Sequence, residues 1–162
     1  ATPTYTLIDS VTLTSSASSV TFSSIPQTYG DLVLVADYGI TSQGQAEMRI
    51  NGGTTTHNFV NMAGTGSSTT SSNAINGNYI PLSYHAYSNP GHVPMAIVQF
   101  LDYSATDKHK SVLVRNGNAE TGVEAVAGRV ATTSAVTTIL VYASSQFTSG
   151  STFFLYGIAK AL

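Results

Sequence analysis

Apolar and polar residues alternate along short stretches of the chain, and no stretch keeps a helical period of 3.6 residues over ten positions. Residues 5–13 alternate as a strand with one buried face would. Residues 32–36 (Leu-Val-Leu-Val-Ala) are continuously apolar, which predicts a central strand covered on both faces. In a shorter strand at 47–51, we expect Met48 and Ile50 to point inward. The pattern predicts an all-β chain.

About ten such strands follow one another at intervals of roughly 8–15 residues, which favours a two-sheet antiparallel β-sandwich of jelly-roll-like form. We predict one domain over residues 1–162, with a short N-terminal arm at 1–5 that could reach a neighbouring subunit. Three Asn-Gly pairs, at 51–52, 76–77 and 116–117, predict hairpin turns because both residue types tolerate a positive φ. The predicted strands are 5–13, 20–22, 32–36, 47–51, 78–84, 92–103, 111–115, 123–130, 136–142 and 152–159.

One segment, 62–78, is predicted to be a mobile polar loop. Its centre, 64–73, reads Gly-Thr-Gly-Ser-Ser-Thr-Thr-Ser-Ser-Asn and lacks any side chain that could anchor a core. A tolerated insertion at a sheet edge is the simpler interpretation, and a functional loop is the alternative.

Charge and cysteine content exclude several classes of function. Only 9% of the residues are charged and the net charge is −2, so the chain lacks the basic surface that nucleic-acid binding needs. With no Cys, disulfides, thiolate metal sites and cysteine nucleophiles are excluded. No stretch is apolar for the roughly 18 residues of a membrane span, and no targeting segment is visible at the start. We therefore expect neither a nucleic-acid nor a membrane partner.

Motifs that carry catalytic chemistry are missing from the sequence. His57, His85, His92 and His109 stand singly, without the spacing of a metal site. There is no nucleotide-binding loop and no Gly-x-Ser-x-Gly motif. We predict that the chain is not an enzyme and holds no cofactor.

Two acidic groupings leave alternatives open. Glu120 and Glu124 stand four residues apart, and paired carboxylates of this kind are what glycoside hydrolysis uses. The segment 102–107 (Asp-Tyr-Ser-Ala-Thr-Asp) offers oxygen ligands of the kind that Ca²⁺ prefers, or else a turn that closes a hairpin.

Aromatic and basic residues supply the candidate partner contacts. The chain has nine Tyr and no Trp, the usual sugar-stacking residue, so tyrosines would have to contact any glycan. Packing in the core or along an edge strand is the alternative for each tyrosine. The candidate contact residues are Tyr5, Tyr79, Tyr84, Tyr87, Lys108 and Lys110.

Three segments carry a resemblance to a known family. Residues 7–13 (LIDSVTL), 20–35 (VTFSSIPQTYGDLVLV) and 150–158 (GSTFFLYGI) resemble small virion structural proteins of tailed phages, particularly phages of cyanobacteria and marine bacteria. A looser match lies at 49–52 (Arg-Ile-Asn-Gly), where Gly53 stands in the place of an acid that the family often has. The matching residues are core formers, so the resemblance carries over no catalytic residue.

The resemblance implies a place on the capsid surface of a virion. Together with the short length, it implies a decoration (cement) protein that binds the major capsid protein, with a homotrimer as the common assembly of such proteins. The low charge suits this role because it lowers the desolvation cost of an interface. A tail-associated or host-glycan-binding module is the alternative, and a glycoside hydrolase or lyase fragment is a third.

Overall fold

The fold class is confirmed: a computed structural model shows an all-β chain with twelve strands and two antiparallel sheets. It describes residues 3–88, 90–91, 93–118, 120 and 122–160, without the side chains of 85–88. The strands are β1 (Tyr5–Thr12), β2 (Ala17–Phe22), β3 (Asp31–Asp37), β4 (Gly44–Ile50), β5 (His57–Gly64), β6 (Thr69–Gly77), β7 (Ile80–Ser88), β8 (Met95–Leu101), β9 (Lys110–Asn118), β10 (Gly122–Val130), β11 (Ile139–Phe147) and β12 (Thr152–Ile158).

The two sheets differ in width. The larger has eight strands in the order β1-β12-β3-β8-β9-β10-β5-β6, and the smaller has four in the order β2-β11-β4-β7. Side chains from both sheets form one buried cluster, as the two inner faces of a sandwich do. The prediction of a central strand at 32–36 is confirmed, because β3 pairs with β12 on one side and β8 on the other.

Alternation along each strand sets which side chains enter this core. In β4, Met48 and Ile50 are buried between the sheets, as predicted. In β8, Ala96, Val98 and Phe100 are buried while the residues between them face outward. The sheet is therefore buried on its inner face along most of its width.

The segment 62–78 is largely strand, so the prediction of a loop there is wrong. Residues 62–64 end β5, and 69–77 form β6, which pairs with β5 at the edge of the large sheet. Only 65–68 form the connecting turn, closed by the Thr65 amide donating to the Ser68 carbonyl at 3.0 Å. Thr is common in β-strands. An edge strand can consist largely of Ser and Thr because its outward side chains do not need to be buried.

The Asn-Gly pairs do not form the predicted hairpins. Asn51-Gly52 is a turn with φ of 50° and 66°, but it joins β4 of one sheet to β5 of the other. The pair at 76–77 ends β6, and the pair at 116–117 lies inside β9. The segment 102–107 lies between the paired strands β8 and β9, which confirms the hairpin interpretation for that segment.

The N-terminal segment is attached to its own chain where it is described. The Thr4 carbonyl accepts a hydrogen bond from the Ala159 amide at 3.0 Å, and Tyr5 pairs with Ile158. Residues 1 and 2 of the predicted arm lie outside the described residues. Tyr5 thus belongs to the sheet rather than to a free arm.

Candidate interaction surface

The outward side of the eight-stranded sheet, here called the outer face, carries an unusual density of apolar side chains. Among the described residues, eleven large hydrophobic side chains are exposed, and all but Val93 lie on strands of this sheet and point away from the core. Met62 is 60% exposed and Ile75 is 73% exposed. The members are Tyr5, Leu7, Val60, Met62, Ile75, Met95, Ile97, Leu101, Leu113 and Val123.

The strand register arranges these side chains in transverse rows, since residues directly opposite each other share a face. One row crosses six strands in the order Tyr156, Val33, Gln99, Leu113, Ala127 and Val60. The next crosses the same strands in the order Phe154, Val35, Ile97, Arg115, Ala125 and Met62. Apart from Gln99 and Arg115, the members of these two rows are apolar or aromatic.

The outer face is large enough to be a protein interface. Seven interstrand spacings and four outward residues per strand give it about 34 Å by about 23 Å, or roughly 800 Å². This footprint includes polar as well as apolar side chains, and about 800 Å² per partner is typical of stable protein complexes. The outer face therefore has the size and polarity of a contact surface.

The charged groups of the outer face are separated by sign. Arg115 and Arg129 lie on β9 and β10, whereas Asp31 and Asp37 lie on β3. Arg129 also contacts His109, with the guanidinium Nη2 2.6 Å from Nδ1. The face thus has a basic half and an acidic half.

Two shallow grooves mark the basic half. One has a volume of about 780 Å³ and is lined by Met62, Arg115, Val123 and Ala125 among others. The other, of about 380 Å³, lies beside Val60 and Ile75. Both are open and largely apolar, so they suit inserted side chains of a partner better than a buried small ligand.

The candidate tyrosines occupy different positions. Tyr5 is 56% exposed at the edge of the outer face, as a contact residue requires. Tyr79 and Tyr84 are half-buried against Phe59, with ring centroids 5.8 Å and 5.9 Å from it, so both pack against the core. Burial raises the pKa of Tyr79, and the nearby Glu47 raises it further. The side chain of Tyr87 lies outside the described residues.

The two candidate lysines have opposite environments. Lys108 is exposed and forms an ion pair with Asp102 at 2.9 Å, which raises the pKa of its ammonium. Lys110 is buried, and its Nζ donates to the carbonyls of Lys108 at 2.7 Å and Thr133 at 3.3 Å. Desolvation lowers the pKa of Lys110. The prediction that Lys110 contacts a partner is wrong for this reason: its amine binds the chain's own backbone.

Glu124, one of the two candidate acids, has a structural position. It is buried, and its carboxylate accepts hydrogen bonds from the Tyr84 amide at 2.9 Å and from the Asn61 side chain. These bonds join β10 to β7 of the other sheet and to β5. Glu120 is exposed in the turn that follows β9. Glu124 also lines the groove of about 780 Å³, whereas Glu120 is not among the residues that line it.

The smaller sheet carries a polar cluster on its outward side that the sequence analysis missed. Tyr142 lies directly opposite Glu47 in the strand register, and the Arg49 guanidinium lies 5.4 Å from the centroid of the Tyr142 ring. Burial and the Glu47 carboxylate together raise the pKa of Tyr142. Glu47 and Tyr142 are 95 residues apart but directly opposite in the register of β4 and β11, which no local motif could reveal.

The described residues contain no group of three or more His, Asp or Glu that could hold a metal ion. The part of the chain that the structure describes also holds no helix with the length and apolar character of a membrane span. Comparisons with protein-family models, with curated proteins and with solved structures found no match to this chain.

Proposed function

We propose that this chain is a structural subunit of a phage virion, a capsid decoration protein that binds the major capsid protein and stabilises the lattice by multivalent contacts. The observation that carries the proposal is the outer face. Ten exposed large apolar side chains on one sheet face are of no use to a sandwich that works as an isolated monomer, whereas an assembly subunit needs such a face. A phage virion is the proposed assembly because residues 7–13, 20–35 and 150–158 resemble phage virion proteins.

Low charge supports the same proposal. With 9% charged residues, most of the surface can enter an interface without desolvating ions. Repeated weak contacts on a symmetric shell then add through multivalency.

We also propose that the sandwich is a jelly roll with two inserted hairpins. Without β5–β6 and β9–β10, the sheets run β1-β12-β3-β8 and β2-β11-β4-β7. Counted along those eight strands, this is the order 1-8-3-6 opposite 2-7-4-5 that a jelly roll has. The two hairpins extend one sheet from β8 outward and supply half of the outer face. Viral shell proteins often use this fold, which supports the proposal only by analogy.

The test is binding to virions of the phage that encodes the chain. Particles stripped of the protein should rebind it at a fixed ratio to the major capsid protein and resist heat better afterwards. Leu113→Glu, on the outer face, should reduce the rebinding, whereas Thr21→Glu, an exposed position on the smaller sheet, should leave it unchanged. Particles that lack the protein when purified, and that fail to bind it, would contradict a virion role.

A host-glycan-binding module is a second candidate, favoured by the cluster of Glu47, Arg49 and Tyr142. A carboxylate, a guanidinium and a phenol side by side can hydrogen-bond sugar hydroxyl groups. A glycan array should then give a signal that Tyr142→Ala abolishes and Tyr5→Ala retains. No signal from the unmodified protein, in any oligomeric state, removes this candidate.

A further inference from the structure

We propose that the outer face is covered by the outer face of a second copy of this chain, the two copies being related by a two-fold axis that runs along the strands between β8 and β9. This deepens the proposed function and rests on it in taking the outer face as an assembly surface: the dimer would contact the capsid through its remaining surface, and Leu113→Glu would reduce rebinding to virions by dissociating the dimer. The axis position is the middle of the sheet, with four strands on either side. It places β8 over β9, β3 over β10, β12 over β5 and β1 over β6 of the second copy.

The area agrees with a homodimer. Roughly 800 Å² per chain is the amount that a standard-size interface buries. Two sheets with the same right-handed twist pack face to face about 10 Å apart, with their strands about 30° from parallel. A flat face that contacts itself closes the assembly at two copies, which leaves no apolar edge for further growth.

Side-chain size is complementary across this axis. Val35 of β3 comes over Ala125 of β10, because the two share a transverse row, whereas Val33, in the row of Ala127, is already buried in its own chain and adds little contact. The aromatic residues of β12 come over β5, with Tyr156 near Val60 and Phe154 near Met62. Large side chains of one half thus meet small or flexible side chains of the other half.

Charge is complementary as well. Asp31 of β3 and Arg129 of β10 stand in one row, since Leu32 pairs with Phe100, Leu101 with Ser111 and Ser111 with Arg129. Within one chain they are three strands apart, about 14 Å. The two-fold axis brings Asp31 of each copy toward Arg129 of the other copy, which gives two equivalent ion pairs. The opposite orientation, with the axis across the strands, would place each basic half on a basic half.

The strand pattern itself indicates a covered face. The continuous apolar run at 32–36 is typical of a strand buried on both sides. The smaller sheet covers the inner side, where Leu34 and Ala36 lie; on the outer side Val33 is already buried at 7% exposure, whereas Val35 is only half-buried and leaves that part of the strand open. A second copy provides the missing layer.

Sedimentation velocity tests the association. At micromolar concentration, the full chain should sediment as a particle with twice its mass of 16.9 kDa. Leu113→Glu should weaken the dimer by about 100-fold or more, because it buries a charge at the centre of the face. Thr21→Glu, the matched change on the exposed side of the smaller sheet, should leave it unchanged. Circular dichroism identifies any variant that fails to fold, and Met62→Glu then replaces it as a second central probe.

The geometry is tested separately with an engineered thiol, which the cysteine-free chain allows. Gln99 lies beside the axis, so two Gln99→Cys residues would stand about 11 Å apart across the dimer, given sheets about 10 Å apart. A short bismaleimide should join them rapidly, whereas Thr21→Cys should stay unlinked. Asp31→Asn, which keeps the acceptor for the Asp102 amide, and Arg129→Gln should each weaken the dimer about 3- to 10-fold and be non-additive together.

A chain that stays monomeric at every concentration overturns the inference, and if it still binds virions the proposed function stands without it. A dimer in which Gln99→Cys does not cross-link, or in which Leu113→Glu has no effect, also overturns it. A dimer with these properties but no affinity for virions supports the inference and contradicts the proposed function.

Discussion

The ring of Tyr29 lies directly against the backbone of Gly157, so that a Cβ on residue 157 would stand 2.3 Å from Cγ of Tyr29. Tyr29 belongs to the segment 20–35 and Gly157 to the segment 150–158, two of the three segments on which the proposal of a virion role draws. The third, 7–13, pairs with β12 through β1. The three segments therefore meet around β1, β12 and β3 at one side of the large sheet.

Gly157→Ala should destabilise the chain by about 2–3 kcal/mol, because the ring of Tyr29 must move out of its packed position. Chemical denaturation measures the change in the free energy of unfolding. Gly64→Ala is the matched control, since a Cβ there meets nothing within 4 Å. The double variant Tyr29→Ala/Gly157→Ala should lose less than the two single changes added together; strict additivity would exclude the contact as the cause.

Asn51→Ala should cost about 2–3 kcal/mol of stability. The Asn51 side chain donates to the Ala135 carbonyl at 2.7 Å and accepts from the amides of Thr137 at 2.9 Å and Thr138 at 3.1 Å. These bonds tie the corner between β4 and β5 to the segment before β11. Asn51→Gly keeps the positive φ of 50° without strain, so most of its loss measures the bonds alone. If Asn51→Gly is as stable as the unmodified chain, the bonds contribute nothing.

Stability should fall as the pH drops from about 6.5 to about 4, because His57 is held neutral. Burial lowers the pKa of His57 to about 4, helped by Arg49, while the hydrogen bond to the Gly77 backbone opposes the shift. Its Nε2 accepts from the Ile50 amide at 3.0 Å, so protonation breaks that bond. The unfolded chain binds the proton first, and the loss over this window is about 3 kcal/mol.

Denaturation midpoints between pH 7 and pH 4 measure this dependence. His57→Gln keeps an acceptor without a titrating group, so it should flatten the curve over that range. The same slope in His57→Gln would assign the pH dependence to other groups.

Lys110→Ala should lower the stability of the protein much more than Lys108→Ala, although the two lysines are only two positions apart. Loss of the Lys110 amine leaves the carbonyls of Lys108 and Thr133 without a donor and opens a cavity, at about 2 kcal/mol. Lys108 is 53% exposed and its ion pair is solvated, so Lys108→Ala should leave the stability nearly unchanged. Equal effects in thermal denaturation would contradict the burial of Lys110.

Alternation and apolar runs predicted the class of fold and the central position of β3, because both depend on burial along a single strand. They failed for β5 and β6, where outward apolar residues such as Val60 and Met62 and a Ser/Thr-rich edge strand remove the expected contrast. The hairpins predicted from the Asn-Gly pairs were wrong for a related reason. A positive φ fixes a local bend, as at Asn51, but which sheet the next strand joins depends on tertiary packing.

The candidate site was less predictable than the fold. Exposure of Tyr5 could be expected, but the burial of Lys110 depends on the carbonyl of Thr133, which is distant in sequence. The outer face had one signal, the run at 32–36, which predicted a strand covered on both sides. Its remaining residues come from the seven other strands of the sheet, and only the register brings them into rows.

Methionine oxidation tests most directly whether the outer face is covered in the assembled protein. The chain has three methionines: Met62 and Met95 lie on the outer face, 60% and 51% exposed, while Met48 is buried between the sheets. In the assembled protein, peroxide should oxidise Met62 and Met95 nearly as slowly as Met48, and dilution or Leu113→Glu should restore fast oxidation of the first two alone. Fast oxidation of Met62 and Met95 in the assembled protein would contradict an assembly through this face.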